Sequence, residues 1–438
     1  MTWKDTINTR ALNHNTGTIH LSNLCTEITL PQDRENVAVC NLASINLSRH
    51  VTGRRQQARV DWERLAESTR LAVRQLDNLI DITISSVPES ERSNELNRAL
   101  GLGVMGFTDI VERFGYWYQS KESYELIDEI MEFVSWHAID ASADLARERG
   151  AYPNFEGSRW SQGLVPIDSL DLLEDDRGVP VEVDRTARLD WKSLRGKVSA
   201  GIRNSTLMAI APTASIGLVA GTTPGLDPQF SQIFSRATSS ASSSRSIATW
   251  SRTCGVWVCG SRCAKTCCAI RVTCRRSTAS PTRLQQIYRT SFQLSPYAFL
   301  QVAARAQKWI DQAISRNIYL QSRDVGEMVE LYAAAWRMGV KTTYYLHMMP
   351  RHTAEQSTVK VNKAEQVAPA GGAPRRGFGA AAPKAAAPAR GFGAVAAAVA
   401  EAEPVVPADV DELEQVDVVD GAACPIDPQE RLQCDSCQ

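Results

Sequence analysis

No run in the sequence reaches the roughly 18–20 apolar residues that cross a bilayer, and the opening MTWKDTINTRALNHN lacks a basic region followed by an apolar one. Neither a membrane span nor a secretion signal is predicted, and the chain reads as soluble and cytoplasmic. An excess of either charge is missing too. With 48 Lys+Arg against 49 Asp+Glu, no global field draws the chain to nucleic acid, and DNA binding is not expected. A third absence is local: no Asp or Glu occurs between Asp227 and Asp311. Within that interval, ASSSRSIATWSRTCGVWVCGSRCAKTCCAIRVTCRRSTASPTRL has no His, no helical or strand period, and six of the 11 cysteines (Cys254, Cys259, Cys263, Cys267, Cys268, Cys274). Three more lie near the C-terminus (Cys424, Cys434, Cys437), leaving Cys25 and Cys40 for the rest. The odd total and uneven spread argue against a secreted disulfide framework and towards redox chemistry or an anomalous stretch.

What is present fills 438 residues, enough for two or three units at about 150 residues each, although some α/β barrels run longer as one domain. VAVCNLASINLS reads as a buried strand and loop. Asp61 then caps a predicted helix whose stripe is Trp62, Leu65, Leu71, Leu76, Leu79 and Ile80. A second helix is predicted through SNELNRALG, and a long one through ESYELIDEIMEFVSWHAIDASADLARERG, ended by Gly150. Between them GLGVMG fits G-x-G-x-x-G at Gly101, Gly103 and Gly106, but a dinucleotide site needs a strand before it, and a helical, polar pattern stands there. Close backbone packing is the preferred explanation.

GIRNSTLMAIAPTASIGLVAGTTPG opens from a strand-like run into small and hydroxyl residues. Its Thr213, Ala214 and Ser215 offer the hydroxyls and uncrowded N–H groups that an anion needs, and equally suit a plain turn. SPYAFLQVAARAQKWIDQAISRNIYL and DVGEMVELYAAAWRMGVKTTYYLH are predicted as two helices, the second leading into a strand that carries Tyr344 and Tyr345. From about Ser357 the chain becomes rich in Ala, Pro, Gly and Val, with RGFGA twice, and ends in CDSCQ. This is the composition of a linker unable to bury a core.

The stretch SNLCTEITLP raises the sharpest question. In an extended backbone Asn23, Cys25 and Glu27 project to one side, bringing an amide, a thiol and a carboxylate into one pocket. Alternatively Cys25 is a small buried hydrophobe and Glu27 a solvated charge.

Taken together, NLCTE, AVCNLASINL, LRGKVSAGIRNSTLMAIAPTASIG, GVKTTYYL and the terminal cysteine pair resemble the large, catalytic subunit of class I ribonucleotide reductase. The resemblance implies an α/β fold: the C-terminal part of a ten-stranded barrel (1–236 and 285–356) with a central finger loop, followed by a disordered tail (357–438). It implies that Cys25 becomes a thiyl radical that abstracts the ribose 3′-hydrogen, that Glu27 accepts the 3′-hydroxyl proton, and that Asn23 holds the sugar hydroxyls. Cys40 matches one of two thiols that supply reducing equivalents. Ala211, Pro212, Thr213, Ala214 and Ser215 resemble the cradle for the substrate diphosphate. Tyr344 and Tyr345 match a relay from the radical of a metal-containing small subunit, which separates class I from the adenosylcobalamin class. No cofactor is expected in this chain, and the regions that bind ATP and dNTP effectors, with the second reducing cysteine, are expected to lie outside it, which makes it look like a fragment. The implied partners are the small subunit, thioredoxin or glutaredoxin, a ribonucleoside diphosphate and a second copy of the full-length protein.

Cys434 and Cys437 then acquire a task, re-reducing the barrel disulfide by thiol exchange. The roughly 77 residues from Ser357 to Cys434 give a root-mean-square reach of about 50 Å. The family pattern stops near Ser239 and resumes at YRTSFQLSPYAFL, so 237–284 reads as a shifted reading frame. The rivals are a zinc-binding insert there, a structural zinc at Cys424, Cys434 and Cys437, and, for the whole chain, a non-catalytic redox or zinc-binding remnant of the barrel.

Overall fold

The computed structural model describes residues 1–231 and 282–349, with the backbone of two further strands, Ile233–Ala237 and Ser242–Ser246. In chain order the helices are α1 (Lys4–Thr9), α2 (Trp62–Ile82), α3 (Pro88–Asn97), α4 (Phe107–Phe114), α5 (Lys121–Arg149), α6 (Ser169–Arg177), α7 (Trp191–Ser199), α8 (Ala214–Ala220), α9 (Thr282–Ile287), α10 (Pro296–Gln307) and α11 (Val325–Arg337). The strands are β1 (Asn41–Asn46), β2 (Val51–Thr52), β3 (Arg59–Val60), β4 (Leu100–Met105), β5 (Ile233–Ala237), β6 (Ser242–Ser246), β7 (Ile318–Leu320) and β8 (Leu346–Met348).

The backbone that carries the site is a set of parallel segments. β1 pairs with β4 from Asn41↔Leu100 to Asn46↔Met105. Leu102 of β4 bridges in parallel to Met208, and Ile210 bridges in parallel to Ile314. Four extended segments therefore lie side by side in the order 41–46, 100–105, 207–210 and 312–315, and β7 pairs in parallel with β8 beyond them. Helices connect them, as parallel pairing requires. All six residues of β4 are buried, the burial expected of a strand covered on both faces. Among the described residues the array is open rather than closed.

Several elements differ from those predicted. α2 is capped as expected, the Asp61 side chain accepting from the Arg64 N–H at 3.1 Å. Its buried face, however, is Leu65, Thr69, Val73, Leu76, Asp77 and Ile80, while Leu71 and Leu79 face outward. Leucines alone misplace the stripe because Thr69 and Asp77 find partners inside: Thr69 Oγ1 donates to the Leu65 carbonyl, and Asp77 holds Arg98 at 2.8 Å. α3 stops at Asn97 with Arg98 left-handed, so Leu100 and Gly101 open β4 instead of prolonging a helix. α5 and its Gly150 terminus (φ +88°) match the prediction. α10 ends at Gln307, well short of the predicted span. The supposedly aperiodic stretch contains part of a backbone hairpin, with Ile233 opposite Ser246. The rest of 247–281 lies outside the described residues.

The glycines of GLGVMG lie in or just after β4, where they allow close packing. A Cβ on Gly103 would stand 2.5 Å from the Ala209 carbonyl oxygen and 3.1 Å from Ile210 Cα, both backbone atoms of the adjacent segment. On Gly101 it would meet Cys40 Sγ at 2.8 Å. Gly103→Ala is expected to destabilise the fold by about 1–3 kcal/mol, as overpacking does. An unchanged urea midpoint would contradict this account.

Candidate active site

The SNLCTE segment is a turn, not an extended strand. The Thr26 N–H donates to the Asn23 carbonyl at 3.1 Å, and Thr26 takes φ +70°. This left-handed residue is what brings Asn23, Cys25 and Glu27 together, in place of strand alternation. Asn23 Nδ2 donates to Glu27 Oε2 at 2.8 Å, and Asn23 Oδ1 accepts from the Ile28 N–H at 3.2 Å. Cys25 and Glu27 are buried, whereas Leu24 at the tip is exposed.

The turn is seated on the extended segment Asp311–Asn317. The Ala313 N–H donates to the Glu27 carbonyl at 3.0 Å. Ser315 Oγ lies 2.6 Å from the Cys25 carbonyl oxygen and 2.8 Å from Glu27 Oε2, so its single hydroxyl proton serves both acceptors. Gln312 Oε1 accepts from the Thr29 N–H at 3.1 Å, and Gln312 Nε2 donates to Cys40 Sγ at 3.2 Å. Burial pushes the Cys40 thiol up to about 12, with Asp311 and Glu27 adding to the rise and the Gln312 bond opposing it. At neutral pH Cys40 is therefore a thiol.

The tyrosines stand just before β8 and face the turn. Cys25 Sγ and Tyr344 Oη are 3.3 Å apart, and the Tyr344 and Tyr345 ring centroids 3.9 Å. The Tyr344 N–H donates to the Arg316 carbonyl at 2.8 Å, and the Tyr345 N–H to Asn317 Oδ1 at 3.4 Å. His347 lies edge-on to Tyr345 at 5.6 Å and stacks on Tyr319 at 4.6 Å. Burial lowers its pKa to about 4.

The Ala211–Ser215 turn follows directly on Ile210, whose carbonyl accepts from the Ser315 N–H at 2.9 Å. Thr213 has φ +53°, and its Oγ1 accepts from the Gly225 N–H at 2.8 Å, which fixes the turn into α8. Ala214 is exposed, and Ala211, Pro212 and Ser215 are half-buried. Cys434 and Cys437 lie outside the described residues. The structure thus brings Asn23, Cys25, Glu27, Tyr344 and Tyr345 together, with Cys40 joined to them through Gln312. Sequence reasoning missed Gln312, Ser315 and Asn317 because their stretch was read as helix. A polar residue at every second or third position after Trp309 was the available signal.

Residues 1–346 match the family described as ribonucleotide reductase, barrel domain. The chain belongs to that family. The ribonucleoside-diphosphate reductase subunit alpha of Chlamydia trachomatis is 38% identical over 368 residues, which cover 83% of this chain and 35% of the relative. The large subunit from Caenorhabditis elegans is 33% identical, covering 83% of this chain and 44% of the relative. That of Monkeypox virus is 30% identical, covering 82% and 45%. The chain thus spans less than half the length of these curated relatives.

Two outcomes follow from the geometry. Ser315→Ala leaves the Cys25 carbonyl and Glu27 short of a buried donor, and is expected to cost about 1–3 kcal/mol in urea unfolding. His347 binds its proton more weakly folded than unfolded, so its contribution to stability is complete above pH 6.5 and falls as pH drops towards 4. His137, lowered to about 4 by burial beside Arg70, acts in the same window. His347→Phe is expected to flatten the stability curve between pH 4 and 6.5 without abolishing its slope, and an unaltered slope would count against it.

Proposed function

We propose that this chain carries the active site of a ribonucleoside-diphosphate reductase, which converts ribonucleotides to 2′-deoxyribonucleotides for DNA synthesis. The observation that carries the reading is the 3.3 Å contact between Cys25 Sγ and Tyr344 Oη, with the Tyr345 ring tilted against that of Tyr344 at 3.9 Å. Oxidising equivalents come from a small subunit that holds the metal and pass through Tyr345 and Tyr344. The Cys25 thiol yields a hydrogen atom to the tyrosyl radical, and the resulting thiyl takes the 3′-hydrogen of the ribose. Glu27 receives the 3′-hydroxyl proton, and Asn23, held by Glu27, binds the sugar hydroxyls. The 2′-hydroxyl takes one thiol hydrogen and leaves as water, C2′ takes the other as Cys40 and a second thiol become a disulfide, and Cys25 and Glu27 return the 3′-hydrogen and the proton. Ala211, Pro212, Thr213, Ala214 and Ser215 hold the diphosphate.

The wider reading includes closure into a ten-stranded barrel with residues beyond this chain, a homodimer, cytoplasmic location, and re-reduction of the disulfide by Cys434 and Cys437 with thioredoxin or glutaredoxin. The division at 236, 284 and 356 belongs to it, as does a shifted frame across 237–284. The rival, a zinc-binding or redox remnant, draws on the six clustered cysteines; stoichiometric zinc in the purified chain is the result that favours it.

The test is turnover in the chain extended to the length of its relatives. Cys25→Ser is expected to abolish reduction and retain substrate binding, because an alcohol O–H is much harder to convert to a radical than a thiol S–H. Tyr344→Phe and Tyr345→Phe are expected to stop turnover with unfolding midpoints unchanged. Substantial turnover in any of the three sinks the reading. Replacing Cys434 and Cys437 by serine is expected to spare the first turnover and halt thioredoxin-driven cycling, with a small dithiol restoring it. Full thioredoxin-driven cycling in that variant removes the tail from the mechanism.

A further inference from the structure

We infer that Gln312 is a positioning residue that holds the Cys40 sulfur as a hydrogen-bond acceptor and ties it to the loop carrying Cys25. The purpose of this tie rests on the reductase reading; its existence does not.

The amide orientation is forced by its neighbours. Gln312 is fully buried. The Thr29 N–H can only donate, so the group 3.1 Å from it must be Oε1. The Leu100 carbonyl, 2.8 Å from the other end, can only accept, so that end must be Nε2. Nε2 also lies 3.2 Å from Thr206 Oγ1 and 3.2 Å from Cys40 Sγ. A flipped amide would set oxygen against a carbonyl and NH₂ against an N–H, both buried. Leu100 takes one of the two Nε2 hydrogens, and the second lies within reach of Cys40 Sγ and Thr206 Oγ1, whose own hydroxyl donates to the Leu100 carbonyl at 3.1 Å; Cys40 Sγ therefore faces a donor group.

Two consequences follow. An N–H aimed at sulfur favours thiolate over thiol, against the burial and the Glu27 and Asp311 carboxylates that raise the Cys40 pKa. Beside Asp311 stands Lys341, whose Nζ donates to the Asp311 carbonyl. Second, the same carboxamide holds Thr29, two residues from Glu27 and four from Cys25. When Cys40 Sγ leaves its place to bond another atom, Gln312 loses one partner and its grip on Thr29 loosens. The state of the reducing thiol is thereby communicated to the loop that bears the radical-forming one.

The experiment uses the chain itself and no nucleotide. Cys40 is labelled with iodoacetamide at pH 8, the thiolate sulfur displacing iodide, and its rate is followed by peptide mass spectrometry with Cys25 in the same digest as internal standard. Gln312→Met keeps length and removes the donor, and Gln312→Glu keeps the acceptor for Thr29. Both are expected to slow Cys40 labelling about tenfold relative to Cys25, the loss of roughly one pKa unit of thiolate stabilisation. Rates equal to or above those of the parent chain overturn the inference. Should both variants fail to fold, the parent chain decides. After Cys40 labelling the Thr29 amide is expected to exchange hydrogen at least about tenfold faster, a local opening, while the Ala313 amide keeps its rate. Unchanged Thr29 exchange, or equal acceleration of both, overturns the tie. In the extended enzyme, Gln312→Met with unaltered kcat leaves the reductase reading standing and removes Gln312 from it.

Discussion

Everything at the site hangs on the hydrogen bonds of one extended segment, Asp311–Asn317, which has no regular partner strand along its whole length. Successive residues reach different elements: Gln312 to Cys40 and Thr29, Ala313 to Glu27, Ser315 to Cys25 and Glu27, Arg316 to Tyr344, and Asn317 to Tyr345. A buried backbone must satisfy each N–H and C=O; here the Ala313 N–H and the Arg316 carbonyl do so on the candidate site's own loops, and the Gln312, Ser315 and Asn317 side chains add the remaining bonds. The thiol, the carboxylate and the tyrosines are therefore placed by the same constraint that keeps the core from losing hydrogen bonds.

The segment is itself held by buried charges. The Asp311 carboxylate accepts from the Leu207 and Met208 N–H groups, each at 2.7 Å, and Lys341 Nζ caps its carbonyl. Arg316, fully buried, donates to the Leu226 carbonyl and to Tyr118 Oη, both at 3.1 Å, and lies beside Asp227, which accepts from Asn317 at 2.6 Å. Unpaired, any of these ions would cost several kcal/mol. Arg316 and Asp227 are paired at 3.4 Å while Asp311 and Lys341 are satisfied through backbone groups, and these bonds fix the register of three separated stretches of chain. Lys341 stands three residues before Tyr344, so the pair that secures the segment also limits where the tyrosines can be.

How much of this the sequence disclosed depends on whether the signal was local. The long helix α5 was legible because its apolar period and the glycine that ends it are local signals. Cys25, Glu27 and the tyrosine pair stood out by type and spacing, and the structure joins Cys25 to Tyr344 across 319 positions of chain. The turn at Thr26 was not legible, because threonine rarely takes positive φ and only the packed segment beneath makes it do so. The segment 311–317 was misread for a related reason. Trp309, Ile310 and Ile314 continue a helical period past Gln307, yet the helix has ended there: Trp309 and Ile310 are buried from a turn and Ile314 from a bridged segment. Period alone cannot separate those cases.

The two thiols are held in opposite ways, and the chemistry proposed for them asks for that difference. Cys25 Sγ and a phenol oxygen stand within hydrogen-bond distance, so a proton and an electron can pass between the same two atoms without a separate base. A charged intermediate in so buried a place would pay the desolvation of an ion; transfer of a neutral hydrogen atom does not. Cys40 faces an amide N–H rather than an oxidisable ring, and burial keeps it protonated at neutral pH. That retained hydrogen is the one the proposed chemistry draws on. One buried segment thus gives Cys25 and Cys40 different surroundings, a phenol for the first and an amide for the second.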